Sequence, residues 1–214
     1  MRLRKIKGAQ DFLDSHPEVV IADPALHKGN WRDVFGNDNQ LHIEIGSGKG
    51  RFIMDLARKN PDINYIAIEK YDSVLIRALE KLLEEPMSNV RLLCYNAGTI
   101  DEVFNHEVDR LYLNFSDPWP KDRHAKRRLT HPRFLVHYEG ILKGDLIFKT
   151  DNLDLFNYST STMEEYGMIL KETTYDLHSL NVDNIMTEFE EKFSGLGFKI
   201  NRVIAEFKGD TNGK

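Results

Sequence analysis

From Leu41 to Tyr166 the chain alternates between short apolar runs and segments whose apolar residues recur at helical spacing. That alternation constrains the fold more than any other feature. A short apolar run buries itself as a strand, and a helix between two such runs returns the chain so that the strands lie parallel. Strands are expected at 41–45, 65–68, 90–94, 111–115 and 145–149. Helices are expected at 50–60, 73–84, 132–142 and 153–166, with a short one at 99–104. In the segment 73–84, Val74, Leu75, Ala78, Leu79 and Leu82 share one face. Beyond 166 the rhythm changes, with strands expected at 171–177 and 200–207 and a helix at 187–193 between them. The expected fold is α/β, a doubly wound, mostly parallel seven-stranded sheet closed at one edge by an antiparallel pair.

The flanks lack this pattern. Residues 1–40 are polar and broken by Pro17, Pro24, Gly29 and Gly36, and read as an N-terminal arm with one short helix. The arm begins with Arg2, Arg4, Lys5 and Lys7. These read equally as a flexible electrostatic arm or as a solvated end. Residues 41–208 then form one domain, and 209–214 a frayed tail. The single Cys94 excludes an internal disulfide and a cysteine metal cluster. The eight histidines show no ligand spacing, so no metal centre is expected. No stretch approaches the ~20 apolar residues of a membrane span, and no apolar segment follows the basic N-terminus. The expectation is a cytoplasmic protein with no membrane partner, either monomer or homodimer.

In a doubly wound sheet, ligands sit beyond the strands' C-terminal ends, near the point where strand order reverses. The first such end is Glu44-Ile-Gly46-Ser-Gly48-Lys-Gly50, opening a helix. Its spacing is G-x-G-x-G, with the third glycine one residue earlier than in the dinucleotide fingerprint. A carboxylate on this strand end repels phosphate but suits a ligand carrying an amine. S-Adenosylmethionine, with its ammonium and sulfonium, is such a ligand. Glu69 ends the next strand, where an acid binds ribose hydroxyls, and Asn96 follows the third, within reach of an adenine edge. Singly, each residue reads as well as an ordinary turn glycine or an exposed strand-end acid. Three consecutive strand ends together favour a site.

The fourth strand ends in Asn114-Phe-Ser-Asp117-Pro-Trp119-Pro-Lys121. Lys121, Arg123, His124, Lys126, Arg127, Arg128 and Arg133 follow, with Asp122 the sole acid among them. The chain as a whole is acidic, with 29 Lys and Arg against 34 Asp and Glu. Net charge therefore argues against a polyanion, while this local cluster argues for one. A run of cations also reads as a solvated helix face. Trp119 has two readings, a platform for an unstacked base or a half-buried packing residue, and packing is favoured.

On these residues the chain resembles the class I S-adenosylmethionine-dependent methyltransferases, and more narrowly the bacterial tRNA (guanine-N7-)-methyltransferase family. The resemblance rests on Ile43-Glu-Ile-Gly-Ser-Gly-Lys-Gly-Arg-Phe52, Tyr65-Ile-Ala-Ile-Glu69, Leu113-Asn-Phe-Ser-Asp-Pro-Trp-Pro-Lys121 with the cations after it, Phe148-Lys-Thr-Asp-Asn152 and Thr187-Glu-Phe-Glu190. It implies a Rossmann-like methyltransferase domain and S-adenosylmethionine held by Glu44, Glu69, Asn96 and Asp117 around Gly46, Gly48 and Gly50. It implies Asp117 as the catalytic acid, and tRNA bound by Lys121, Asp151, Thr187, Glu188, Phe189 and Glu190. Arg123, Lys126, Arg127 and Arg128 would contact phosphates, which position an RNA without reading its sequence. Asn96 departs from the Asp common in the family, but an amide still serves adenine.

Guanine N7 carries a lone pair and no proton, so its methylation needs no general base. Positioning and a carboxylate near the developing positive charge suffice. Amino-group methyltransferases, the nearest chemical rival, often carry Asn/Asp-Pro-Pro-aromatic at this strand end, whereas here the second proline follows Trp119. The acids of Thr187-Glu-Phe-Glu190 accept from guanine's donors or hold neighbouring cations in place. On pattern alone they mark a solvated helix start capped by Thr187. Two rival functions remain, a methyltransferase acting on another RNA atom and a non-catalytic tRNA-binding subunit.

Overall fold

The computed structural model describes residues 6–209. Seven strands form one sheet: β1 (Gln40–Ile45), β2 (Ile63–Glu69), β3 (Val90–Cys94), β4 (Val108–Asn114), β5 (Leu142–Thr150), β6 (Ile169–Thr174) and β7 (Asn201–Glu206). Their order is β3-β2-β1-β4-β5-β7-β6. The first five are parallel, and β7 lies antiparallel between β5 and β6. Strand order reverses between β1 and β4, where the class rule puts a ligand.

Helices α3 (Arg51–Lys59), α4 (Asp72–Glu84), α5 (Pro132–Ile141) and α6 (Leu153–Tyr166) connect the strands, and α7 (Glu188–Gly195) precedes β7. Both faces are buried, as a parallel sheet requires. On β2, Tyr65 and Ala67 pack with Ile53, Ala57, Leu75 and Leu79 of α3 and α4. Ile66 and Ile68 pack on the other face with Leu135 and Tyr138 of α5 and Phe156 of α6. Where β4 and β5 slip register near Val108 and Arg110, a Cβ on Gly144 would fall 2.3 Å from the Asp109 carbonyl, so no larger residue fits.

Three segments differ from the sequence pattern, the first being the short helix expected at 99–104, which is a 3-10 turn at Ala97–Glu102. The strand expected at 171–177 is β6, ending at Thr174, and a 3-10 turn, Leu177–Ser179, follows it. The segment before β1, expected as an arm with one short helix, holds α1 (Ala9–Asp14), a 3-10 turn at Pro24–His27 and α2 (Trp31–Phe35). It is bolted to the domain. Val20 bridges Leu92 beside β3, Leu13 is buried against α4, and Trp31 is buried on Phe104 with its Nε1 donating to the Val103 carbonyl at 3.0 Å. Its apolar residues are too sparse to show a period. Arg2, Arg4 and Lys5 of the basic arm, and residues 210–214 of the tail, lie outside the described residues. Among the described residues no helix is long and apolar enough to cross a membrane.

Candidate functional site

Register sets the C-terminal ends of β1, β2, β4 and β5 in a row, with Ile45 opposite Ile68 and Leu113, and Asn114 opposite Lys149. Glu44 lies in this row and is 2% exposed. Its Oε1 accepts from Asn114 Nδ2 at 2.9 Å. Its Oε2, the Oδ1 of Asn114 and the hydroxyl of Ser47 are all buried with no hydrogen-bond partner among the described residues. Burial pushes the Glu44 carboxyl up to about 7, against the opposing pull of Asn114 and Lys149. Buried acceptors without donors are costly, so this group is built for something that brings donors. Sequence reasoning missed Asn114 as a site residue; the available signal was an amide directly after the apolar run Leu111-Tyr-Leu113.

The glycine loop wraps this row. Gly46, Gly48 and Gly50 all have positive φ, at 78°, 58° and 76°. The third glycine comes early because α3 starts there against α4, where a Cβ on Gly50 would sit 2.9 Å from that of Ala78. Glu69 organises the loop, accepting from Gly48 N and Tyr71 N, each at 3.1 Å. Burial raises the Glu69 pKa, those amides lower it, and Asp117 raises it again, which places Asp117 in the same field. Asn96 is exposed and caps a 3-10 turn, Ala97–Glu102, its Oδ1 accepting from Gly98 N at 3.2 Å. Its amide hydrogens have no partner among the described residues.

Asp117 stands in an irregular turn after β4. Phe115 and Trp119, on either side of it, sit in the left-handed region at φ 48° and 41°. Non-glycine residues there cost about 1–2 kcal/mol each. Asp117 is exposed, and no hydrogen bond reaches its side chain among the described residues. Trp119 is half-buried, edge-on to His124 and under the Arg127 guanidinium, 4.7 Å from its ring centroid. A 3-10 turn, Asp122–Arg127, carries the cations. Lys121, Arg123, Lys126 and Arg127 are exposed, and none has an ion-pair partner among the described residues.

Arg128, expected among the phosphate contacts, turns inward instead. It is 9% exposed. Nε donates to the Pro118 carbonyl and Nη2 to that of Trp119, both at 3.1 Å, and the guanidinium stacks 4.2 Å from the Tyr158 centroid. Two charge-assisted bonds contribute about 1.5–3 kcal/mol each, enough to offset the strain in the turn.

The 187–190 segment also divides. Thr187 caps α7, accepting from Glu190 N at 2.9 Å. Glu188 pairs with Lys49 of the glycine loop at 3.6 Å and with Lys81 at 3.3 Å. Phe189 is 56% exposed and stacks on Phe193. Glu190, expected at the RNA, is fully buried. It occupies the third helical position, from which such an acid often reaches back to the cap. Here it instead accepts from Lys149 Nζ at 2.6 Å and Asn184 Nδ2 at 2.7 Å and bonds His178 at 2.9 Å. Burial works to raise its pKa, but Lys149, His178 and Asn184 outweigh it and hold it low. Asp151 is half-buried just past β5, with no side-chain partner among the described residues.

A cavity of about 230 Å³ lies lower on the sheet between α3 and residues 183–185. Its lysines and arginines are already paired, Lys59 with Asp183, Lys149 with Glu190, Arg202 with Glu172 and Arg110 with Asp145. It therefore does not compete with the strand-end site for an anion. Among the described residues there is no cluster of metal-binding side chains.

A family model described as "Putative methyltransferase" matches residues 38–203. The tRNA (guanine-N(7)-)-methyltransferase of Lysinibacillus sphaericus (strain C3-41) is 53% identical over 97% of this chain and 98% of its own length. The protein of the same name from Bacillus subtilis (strain 168) is 50% identical over 97% of this chain and 100% of its own. Among solved structures, the 16S rRNA (adenine(1408)-N(1))-methyltransferase of Catenulisporales acidiphilia with cosubstrate SAM is similar at TM-score 0.64 and 11% identity, covering 87% of this chain and 93% of that one. At that identity the likeness shows a shared fold.

Proposed function

The chain belongs to the tRNA (guanine-N(7)-)-methyltransferase family, and from that premise we propose that it transfers a methyl group from S-adenosylmethionine to N7 of a guanine in the variable loop of tRNA, in the cytoplasm. One observation carries the reading. An exposed carboxylate, Asp117, stands between a row of buried acceptors and a run of exposed cations, and among the described residues the first lack donors and the second lack acids.

The residues present fit the methyl donor. Glu44 Oε2 and Asn114 Oδ1, which have no donor among the described residues, would accept from its ammonium. Glu69 and Asn96 follow on the next two strand ends, for ribose hydroxyls and adenine. S-Adenosylmethionine supplies an electrophilic methyl on a positive sulfur. The protein's part is positioning. Lys121, Arg123, Lys126 and Arg127 hold phosphates, and Asp151 with the Thr187–Phe189 stretch borders the base. Asp117 accepts from guanine donors and stabilises the charge that grows on the purine. No group need remove a proton from N7.

Glu44 makes donor affinity depend on pH. Its carboxyl titrates near 7, and only the ionised form pairs with an ammonium. Affinity is expected to rise about tenfold from pH 6 to pH 8 and then level off, with a proton released on binding. Calorimetry in buffers of different ionisation enthalpy measures both. A flat profile, or one that Glu44→Gln leaves unchanged, removes Glu44 from the donor site.

The function itself is tested on unmodified tRNA with labelled donor, followed by borohydride reduction and aniline. Label incorporation with strand scission at one variable-loop guanine is expected. Label without scission means another RNA atom, and no label with intact tRNA binding means a non-catalytic subunit.

A further inference from the structure

The turn that carries Asp117 has little of its own to hold it. Pro118 and Pro120 have no N–H to donate. Among the described residues no backbone–backbone hydrogen bond involves 116–120. Arg128 takes two of the turn's carbonyls, those of Pro118 and Trp119, from ten and nine residues away. Yet both flanking residues, Phe115 and Trp119, keep left-handed backbone. Such backbone persists only where its surroundings determine it.

Arg128 itself is an unusual cation. It is buried, and no carboxylate pairs with it among the described residues. Its charge is met by two carbonyls and the Tyr158 ring. Burying an unpaired cation is costly, and a guanidinium so engaged is not offered to phosphate. Its neighbour Arg127 differs, being exposed and lying across Trp119.

We propose that Arg128 is a positioning residue for methyl transfer: its guanidinium fork locks the Pro118 and Trp119 carbonyls and thereby fixes Asp117. As a statement about catalysis this rests on the function proposed above; as a statement about the turn it stands alone. The fork explains why the residue is arginine. Nε and Nη2 present two donors along one planar edge, whereas a lysine ammonium keeps the charge without the edge.

The test compares Arg128→Lys and Arg128→Ala with a variant in which Arg123, Lys126 and Arg127 are all alanine. Three readouts are taken: kcat, the salt dependence of tRNA binding, and Trp119 fluorescence anisotropy in the protein alone. The Trp31 signal is subtracted with Trp119→Phe. In Arg128→Lys, kcat is expected to fall on the order of 10- to 100-fold, the size of effect that small misplacements produce. Its tRNA affinity and salt slope stay as in the parent, and Trp119 anisotropy drops. In the triple variant the slope becomes shallower by about 0.7–0.9 for each phosphate that is no longer neutralised.

Parental kcat in Arg128→Lys overturns the proposal, because charge alone then suffices. So does a salt slope that Arg128→Ala flattens as the triple variant does, or an unchanged Trp119 anisotropy. A parent protein that methylates no guanine would overturn the proposed function, while the anisotropy, read without tRNA, still decides the clamp. If Arg128→Ala does not fold, the lysine variant carries the comparison through its Trp119 signal.

Discussion

Replacing Asp117 with alanine is expected to lower kcat for tRNA methylation on the order of 100- to 1000-fold, the usual loss for one preorganised electrostatic group. The affinity for tRNA should barely change. In the proposed reaction N7 becomes cationic as the methyl arrives, and the carboxylate would stabilise charge that exists only then. Asp117 is exposed in the field of Glu69 on the donor side, while the unpaired cations sit on the following 3-10 turn. Asp117→Asn keeps an acceptor for the base and loses the charge, so its kcat should fall between those of parent and alanine variant. Single-turnover kinetics at saturating tRNA provides the measurement. An alanine variant with more than half the parental rate would take Asp117 out of the chemistry, and a loss confined to tRNA affinity would move it to docking.

The second large effect is on stability. Glu190→Ala strips the partner from Lys149, a lysine that is itself almost fully buried. Removing one member of a buried pair costs about 3–5 kcal/mol, a large fraction of the roughly 5–15 kcal/mol that holds a typical domain together. Replacing both, as Glu190→Leu with Lys149→Met, should restore much of it, since no charge is then stranded. Urea unfolding at pH 7 measures each variant. A loss below about 1 kcal/mol for Glu190→Ala would show that the carboxylate is free for another role, such as contact with RNA. The pH sign follows from the lowered pKa. The pair stabilises the fold above the unfolded carboxylate value of 4.5, and that contribution is lost as pH falls through the lower folded value.

The parallel strands were legible because each is an apolar run short enough to be nothing else, and the glycine loop because its acid and turn residues follow the first of them. Sequence did not reveal which way a side chain points. Arg127 and Arg128 are adjacent and chemically identical, yet one faces solvent over Trp119 and the other faces inward. The 3-10 turn ends between them, and Arg128 takes extended backbone. Its partner Tyr158 lies in α6, a contact no local pattern encodes. Glu190 was hidden for a similar reason. It reads as one more acid in Glu188-Phe-Glu-Glu191, and only Lys149, opposite it in the fold, marks it as different. Within the first forty residues the proline and glycine breaks masked helices whose packing is entirely tertiary.

The placement of β7 bears on how the molecule is made. It is the last of the described strands, but it lies inside the sheet, between β5 and β6. Until Asn201–Glu206 leaves the ribosome, β5 has an open side, with its backbone groups free to pair with any passing strand. β6 meanwhile has no neighbour to join. The nascent chain can therefore assemble its donor-side strands early, but Lys149 and Thr150 acquire their final neighbours only once Asn201 and Arg202 have been made. A ribosome that stalls before Asn201–Glu206 has emerged would release a sticky half-sheet rather than a slightly shortened enzyme.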